Sequence, residues 1–319
     1  YLKVFSILIP VSMIWGIYMS VIRAFEFIGW HSFINNILQN LGKLSMLLVL
    51  ILFGLESKSS ISFSYLTGFV LMLVVSYYLC KKKISIIFKK CLIENKNKKK
   101  LKKLLISYSV PLSLAGFVSI ILYWIDTLFI GYFKSAFEVG LYNAVIPIAL
   151  LLGFAPELFV QLFLPLVTRH YSQNKKKLVR EMSKQIGKWI FIINLPVFIL
   201  GFIFPGAFIN LLFGSEYLAA ENALRILLLG SFISSLAYIP NNLIKVVGKS
   251  NLILINITIA SILNAILNYL FIPMDKILFM DNSLGLNGAA LATTISMIVL
   301  SFLFVFQTKR YLGFIPFRR

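Results

Sequence analysis

Four ionisable residues lie inside long apolar stretches of this 319-residue chain: Lys43, Asp126, Glu157 and Arg225. A charge near the centre of a hydrocarbon layer costs roughly 2.5–3.5 kcal/mol on insertion scales, so each is expected to face protein or water. Asp126 has the fullest context. Ser109, Ser113, Gly116, Ser119, Tyr123 and Asp126 recur at steps of three and four, which draws a small, polar stripe down one helix face. Such a stripe serves either close helix packing or a ligand path. Glu157 stands beside Pro156, with Gln161 one turn on and Asn143 near the same face. Lys43 follows Gln39, Asn40 and Gly42 amid Leu41, Leu44, Met46 and Leu47. It is either a side chain reaching for the interface or a contact for an anionic group. Arg225 has Glu221 one turn before it, the spacing of an intrahelical ion pair.

Other chemistries find little support. His31 and His170 are far apart, and Cys80 and Cys91 flank one lysine-rich segment, so no metal-ligand spacing arises. No nucleophile–base arrangement and no cofactor motif stands out. Gly285 and Gly288, ahead of Ala289, Ala290 and Ala292, suggest tight packing at a helix start rather than a phosphate cradle. The net charge of +20 raises nucleic acid as a partner. The basic residues gather at one set of loops, with no soluble domain to present them, which argues against it.

The elements that must position these residues are membrane helices. Hydrophobic residues make up 59% of the chain and charged residues 13%, against about 25% charged in average soluble domains. A span needs about 20 apolar residues. Nine runs qualify: 4–22, 34–53, 59–80, 104–133, 139–168, 189–213, 218–244, 250–274 and 282–307. Their continuity calls for no strands, and the fold class expected is an all-α polytopic membrane protein. Alternate loops hold 25 and 4 basic residues, and the richer set is read as cytoplasmic. Loops 81–103 and 169–188 and the C-terminus are thereby expected inside, and residues 213–217 and 274–284 outside. The chain begins at Tyr1 within three residues of an apolar run, which reads as a fragment whose N-terminal part is absent.

Over residues 104–319 a series of landmarks appears in order. Pro111 precedes Trp124-Ile125-Asp126-Thr127 and Gly131. Val139-Gly140-Leu141-Tyr142 and Pro165 follow. Then come Phe213-Gly214-Ser215-Glu216-Tyr217-Leu218-Ala219-Ala220, Leu224-Arg225-Ile226-Leu227 and Val247-Gly248-Lys249. Asn264 through Asn268 to Ile272-Pro273 lead to Gly285-Leu286-Asn287-Gly288-Ala289-Ala290-Leu291-Ala292-Thr293. In these the chain resembles the polysaccharide and oligosaccharide flippases of the multidrug/oligosaccharidyl-lipid/polysaccharide exporter superfamily, O-antigen flippases being the nearest group. The stretch 274–284 departs from the family's short turn.

The resemblance implies two six-helix bundles around a central cavity, alternating between inward- and outward-open states. Residues 1–80 would be the last three helices of the N-terminal bundle, 81–103 a basic cytoplasmic linker, and 104–319 the C-terminal bundle. The implied cargo is a polyprenyl-pyrophosphate-linked oligosaccharide crossing the cytoplasmic membrane. Lys43, and next Arg225, would meet the pyrophosphate. Asp126 and Glu157, with Gln161 nearby, would serve ion coupling or sugar contact, the coupling source being H+, Na+ or the membrane potential. A rival account pairs Lys43 with Asp126 or Glu157. The competing functions are a cation-coupled multidrug and toxin extrusion exporter, a lipid II flippase and, in another class, a membrane polysaccharide polymerase or ligase. The short outer loops disfavour the enzyme.

Overall fold

The structure, a computed structural model, describes residues 2–52, 58–84, 95–277 and 280–315. Cys91 and most of the first half of the basic segment lie outside the described residues. The chain divides into two compact units, Tyr1–Glu94 and Asn95–Arg319.

The first unit contains α1 (Leu2–Ala24), the short α2 (Ile28–Ser32), a π-helical turn (Phe33–Leu38) running into α3 (Gln39–Leu52), and α4 (Lys58–Lys83). Helices α1 and α3 both pack on α4. Met19, Ile22, Ile34, Met72 and Leu79 form the buried seam. Where α3 meets α4, Gly42 and Gly68 bring the backbones together: a methyl on Gly68 would lie 2.8 Å from Lys43 Cγ and 3.3 Å from the Gln39 carbonyl oxygen.

The second unit contains α5 (Asn95–Phe133), α6 (Ala136–Leu150), α7 (Phe154–Ser172), α8 (Lys176–Ile203), α9 (Pro205–Leu212), α10 (Glu221–Val246), α11 (Ser250–Phe271) and α12 (Leu286–Leu312). Helix α10 is central, packing on α6, α7, α8 and α12, while α11 packs on α5 and α12. Among the described residues eight stretches are long and apolar enough to cross a membrane, and Leu8–Ala24 adds a shorter apolar helix. They match the nine runs read from the sequence. The protein is an all-α polytopic membrane protein.

Of the boundaries that differ from the sequence reading, four have a clear local reason. Helix α5 starts at Asn95, so the end of the basic segment extends the helix ahead of residue 104. The run 189–213 is divided, because Pro205 opens α9 at the first helical position, where its missing N–H costs nothing. Between α6 and α7 lies a 3-10 turn, Leu151–Gly153. Pro156 has no N–H to offer the Leu152 carbonyl one turn back, and Asn194 Nδ2 of α8 donates to that oxygen instead, at 2.8 Å.

The fourth difference is the stretch between α11 and α12, where no strand was expected. Lys276–Ile277 and Met280–Asp281 pair antiparallel as a short ribbon. Below it, the buried Asn282 donates to the carbonyls of Phe271 (2.8 Å) and Met274 (2.6 Å) and accepts from the Gly288 N–H at 2.8 Å. One amide thereby satisfies the end of α11 and the start of α12. Gly288 is required there, since a Cβ would stand 2.6 Å from the Phe271 carbonyl oxygen.

Candidate functional site

The second unit gathers its polar side chains around Asp126. This residue is 4% exposed on α5, and groups from three other helices donate to its carboxylate. The Tyr142 hydroxyl of α6 donates to Oδ2 at 2.7 Å. Asn268 Nδ2 of α11 donates to Oδ1 at 2.7 Å. The Thr293 hydroxyl of α12 donates to Oδ2 in a short contact. Behind these, Asn264 Nδ2 donates to Thr293 Oγ1 at 2.9 Å, and Asn268 Nδ2 also reaches Asn264 Oδ1 at 3.1 Å. The chain of donors converges on the aspartate, as suits an ionised carboxylate, which only accepts.

The four helices put these groups in register by simple spacing. On α11, Asn256, Ile257, Ala260, Asn264 and Asn268 share the buried face, so three of the helix's amides turn inward. Tyr142 enters from α6 beside the buried Leu141 and Val145. Close packing of α10 on α12 supports the far side: a methyl on Gly230 would lie 2.9 Å from the Thr294 Cα.

The cluster forms one wall of a cleft of about 190 Å³, lined also by Ser119, Tyr123, Ser231 and Ser296. Ser119, Tyr123 and Asp126 of the polar stripe therefore share that wall, while Ser109, Ser113 and Gly116 are exposed and do not line it. Among the described residues the recorded ion pair is Arg225–Glu221, so no lysine or arginine neutralises Asp126. The Asn268 Oδ1 is buried and accepts from nothing. A buried carboxylate held by neutral donors, next to an idle acceptor, can exchange a proton or a small cation with the cleft. Among the described residues no group of three His, Cys, Asp or Glu is placed to hold a metal ion.

Within the second unit, the other sequence candidates are not brought to this cluster. Arg225 Nη2 meets Glu221 Oε1 at 2.6 Å and Nη1 meets Asn222 Oδ1 at 2.9 Å. Its Nε also donates to the Phe202 carbonyl at 3.3 Å. Glu157 is exposed on α7 and Gln161 half-buried, and neither has a hydrogen-bond partner among the described residues. Lys43 belongs to the first unit. Its ammonium lies 4.5 Å from the Tyr65 ring centroid and 5.7 Å from that of Phe69. With the Gln39 amide turned to satisfy both its ends, Gln39 Oε1 accepts from Lys43 Nζ at 2.9 Å.

The candidates drawn from the sequence omit Tyr142, Asn264, Asn268 and Thr293. All four stand in the landmark strings, where they carried the resemblance without being assigned a role.

Comparison with known proteins agrees with this architecture. The model of the MatE family matches residues 111–270, and that described as polysaccharide biosynthesis protein matches residues 1–156. Crystal structures of MATE share the fold: a mutant form superposes with a TM-score of 0.71 at 13% identity, covering 86% of this chain and 61% of its own. A complex with MaL6 gives 0.71 at 13% identity, covering 95% and 67%. The chain thus shares the two-bundle fold of the MATE structures over the part it covers.

The chain belongs to the MatE family, within the exporter superfamily its landmarks indicate. It is similar to the uncharacterized membrane protein MJ1068 of Methanocaldococcus jannaschii, at 26% identity over 80% of this chain and 48% of that protein. A Shigella flexneri protein named for O-antigen transport is 28% identical over 59% of this chain and 42% of its own length. A Haloferax volcanii protein named for low-salt glycan biosynthesis, the flippase Agl15, is 25% identical over 60% and 38%. The chain spans about half the length of the curated relatives it matches, or less.

Proposed function

We propose that the chain works within a flippase that carries a polyprenyl-pyrophosphate-linked oligosaccharide from the inner to the outer leaflet of the cytoplasmic membrane. The observation that carries the mechanism is the Asp126 carboxylate, buried on neutral donors from three other helices at the wall of a cleft. Taking up a proton or a monovalent cation there would remove an uncompensated charge, and releasing it would restore the acceptor that ties α5 to α6, α11 and α12. Binding and release would then bias two arrangements of the bundle. The names of the Shigella and Haloferax relatives support the glycan cargo.

Lys43 is the proposed contact for an anionic headgroup, a half-buried residue whose ammonium rests on aromatic faces that a ligand phosphate could outcompete. Loops 81–103 and 169–188 and the C-terminus are proposed to be cytoplasmic, on the 25 to 4 distribution of basic residues. A second reading, a cation-coupled multidrug and toxin extrusion exporter, is favoured by the MatE match over residues 111–270.

Complementation in cells lacking their own flippase tests both. Asp126→Asn should remove surface polysaccharide while protein levels persist, and Lys43→Ala should do the same with Lys43→Arg retaining part. Normal transport by Asp126→Asn would remove the coupling role. Drug efflux without any polysaccharide export would favour the second reading.

A further inference from the structure

Away from the Asp126 cleft, a cavity of about 600 Å³ opens where two membrane helices begin. Its walls come from the start of the apolar part of α5 and from the turn into α11. Three lysines line it, Lys100 and Lys103 on α5 and Lys249 on the turn, and no carboxylate is among the lining residues. Gly248, at φ +80°, makes the turn tight, and α11 then starts with no side chain capping its first amides. A 22-residue helix with an uncapped N-terminus presents partial positive charge to the cavity, in addition to the three ammonium groups.

A second, independent feature lies at the same place. Ser250, the first residue of α11, is 3% exposed and lines the cavity, yet its hydroxyl has no hydrogen-bond partner among the described residues. With the residue otherwise buried against protein, the hydroxyl is left to donate to an acceptor that enters the cavity. The far wall is fixed, because the Tyr108 hydroxyl donates to the Lys245 carbonyl at 3.3 Å and holds α5 to the end of α10.

The location narrows the ligand. Both helices are candidate membrane spans, Lys98–Phe133 and Ser250–Phe271, and the cavity sits at their common polar ends. That is headgroup depth for either leaflet, where clustered lysines attract anionic lipid. We propose that this cavity binds the phosphate of an anionic phospholipid headgroup, with Lys100, Lys103 and Lys249 around it and Ser250 donating to a phosphate oxygen. The proposal is independent of the cargo and of the Asp126 mechanism.

Native mass spectrometry of the full chain, released from micelles holding equal phosphatidylglycerol and phosphatidylcholine, tests it. The wild type should retain phosphatidylglycerol in preference by roughly tenfold. Replacing Lys100, Lys103 and Lys249 together by Gln should bring the ratio close to one. The same three charges removed from Lys175, Lys176 and Lys177 should leave it unchanged. Ser250→Asp should also abolish the preference without lowering the melting temperature, since an acid suits a helix N-terminus. The proposal fails if the wild type shows no preference, or if the control lysines matter as much as the cavity lysines. It fails as a lipid site if inorganic phosphate raises the melting temperature while phosphatidylglycerol does not.

Discussion

Asp126 and Lys43 each place a charge inside an apolar helix, but the two units house their charges by different means. Asp126 is held by hydrogen bonds from α6, α11 and α12, contributed by residues 142, 268 and 293. Lys43 is held by its own helix, through Gln39, and by the two rings of the adjacent α4. The difference follows from the side chains. A carboxylate on a short stem has several lone pairs to fill and cannot reach for water, so donors must be brought to it. A lysine has a long stem that lies along apolar surface, here over Gly68, and its ammonium accepts weak partners such as aromatic faces. The acid site therefore couples four helices, and the lysine site couples two.

The sharpest way to break this comparison is to remove the acid. Asp126→Ala leaves the Tyr142, Asn268 and Thr293 donors without their acceptor, and should destabilise the protein by about 3 kcal/mol. Differential scanning fluorimetry in detergent should show Tm falling by roughly 5–10 °C. An unchanged Tm would mean that the network does not hold the four helices together. Lys43→Met keeps the apolar stem and loses the ring contacts and the hydrogen bond to Gln39, both beside partly exposed groups, so the cost should be about 1 kcal/mol. A loss as large as that of Asp126→Ala would show that the lysine is held by more than one helix pair. The smallest effect is expected from Glu221→Gln. The Arg225–Glu221 pair is 36% exposed on both sides, and the change should cost under about 0.5 kcal/mol, shrinking further with added salt. A larger cost that salt leaves unchanged would place that pair in a desolvated setting.

Much of the fold was legible because membrane helices announce themselves. Each of the nine apolar runs proved helical over most of its length, two of them in two pieces, since lipid-facing backbone must satisfy its own hydrogen bonds within one segment. Helix ends were less legible. The break at Pro205 is a local signal that hydropathy averaging hides, and the α11–α12 connection depends on Asn282 reaching carbonyls and an amide up to 11 residues away. Of the site, Asp126 was found because an acid in an apolar run is conspicuous. Tyr142, Asn264, Asn268 and Thr293 were not, because neutral polar residues in such runs are common and equally serve packing.

The sequence by itself determined the class of protein, the count and approximate extent of its spans, and the residue whose charge most needs a home. These follow from length, composition and the cost of charge in hydrocarbon, which are additive along a chain. Which neutral groups answer that charge was decided by tertiary structure, since residues separated by 16, 142 and 167 positions meet at one carboxylate only after α5, α6, α11 and α12 have packed. The same is true of the lysine cavity: Lys103 and Lys249 are unremarkable basic residues at helix ends until the packing of α5 on α11 sets them around one unpaired hydroxyl.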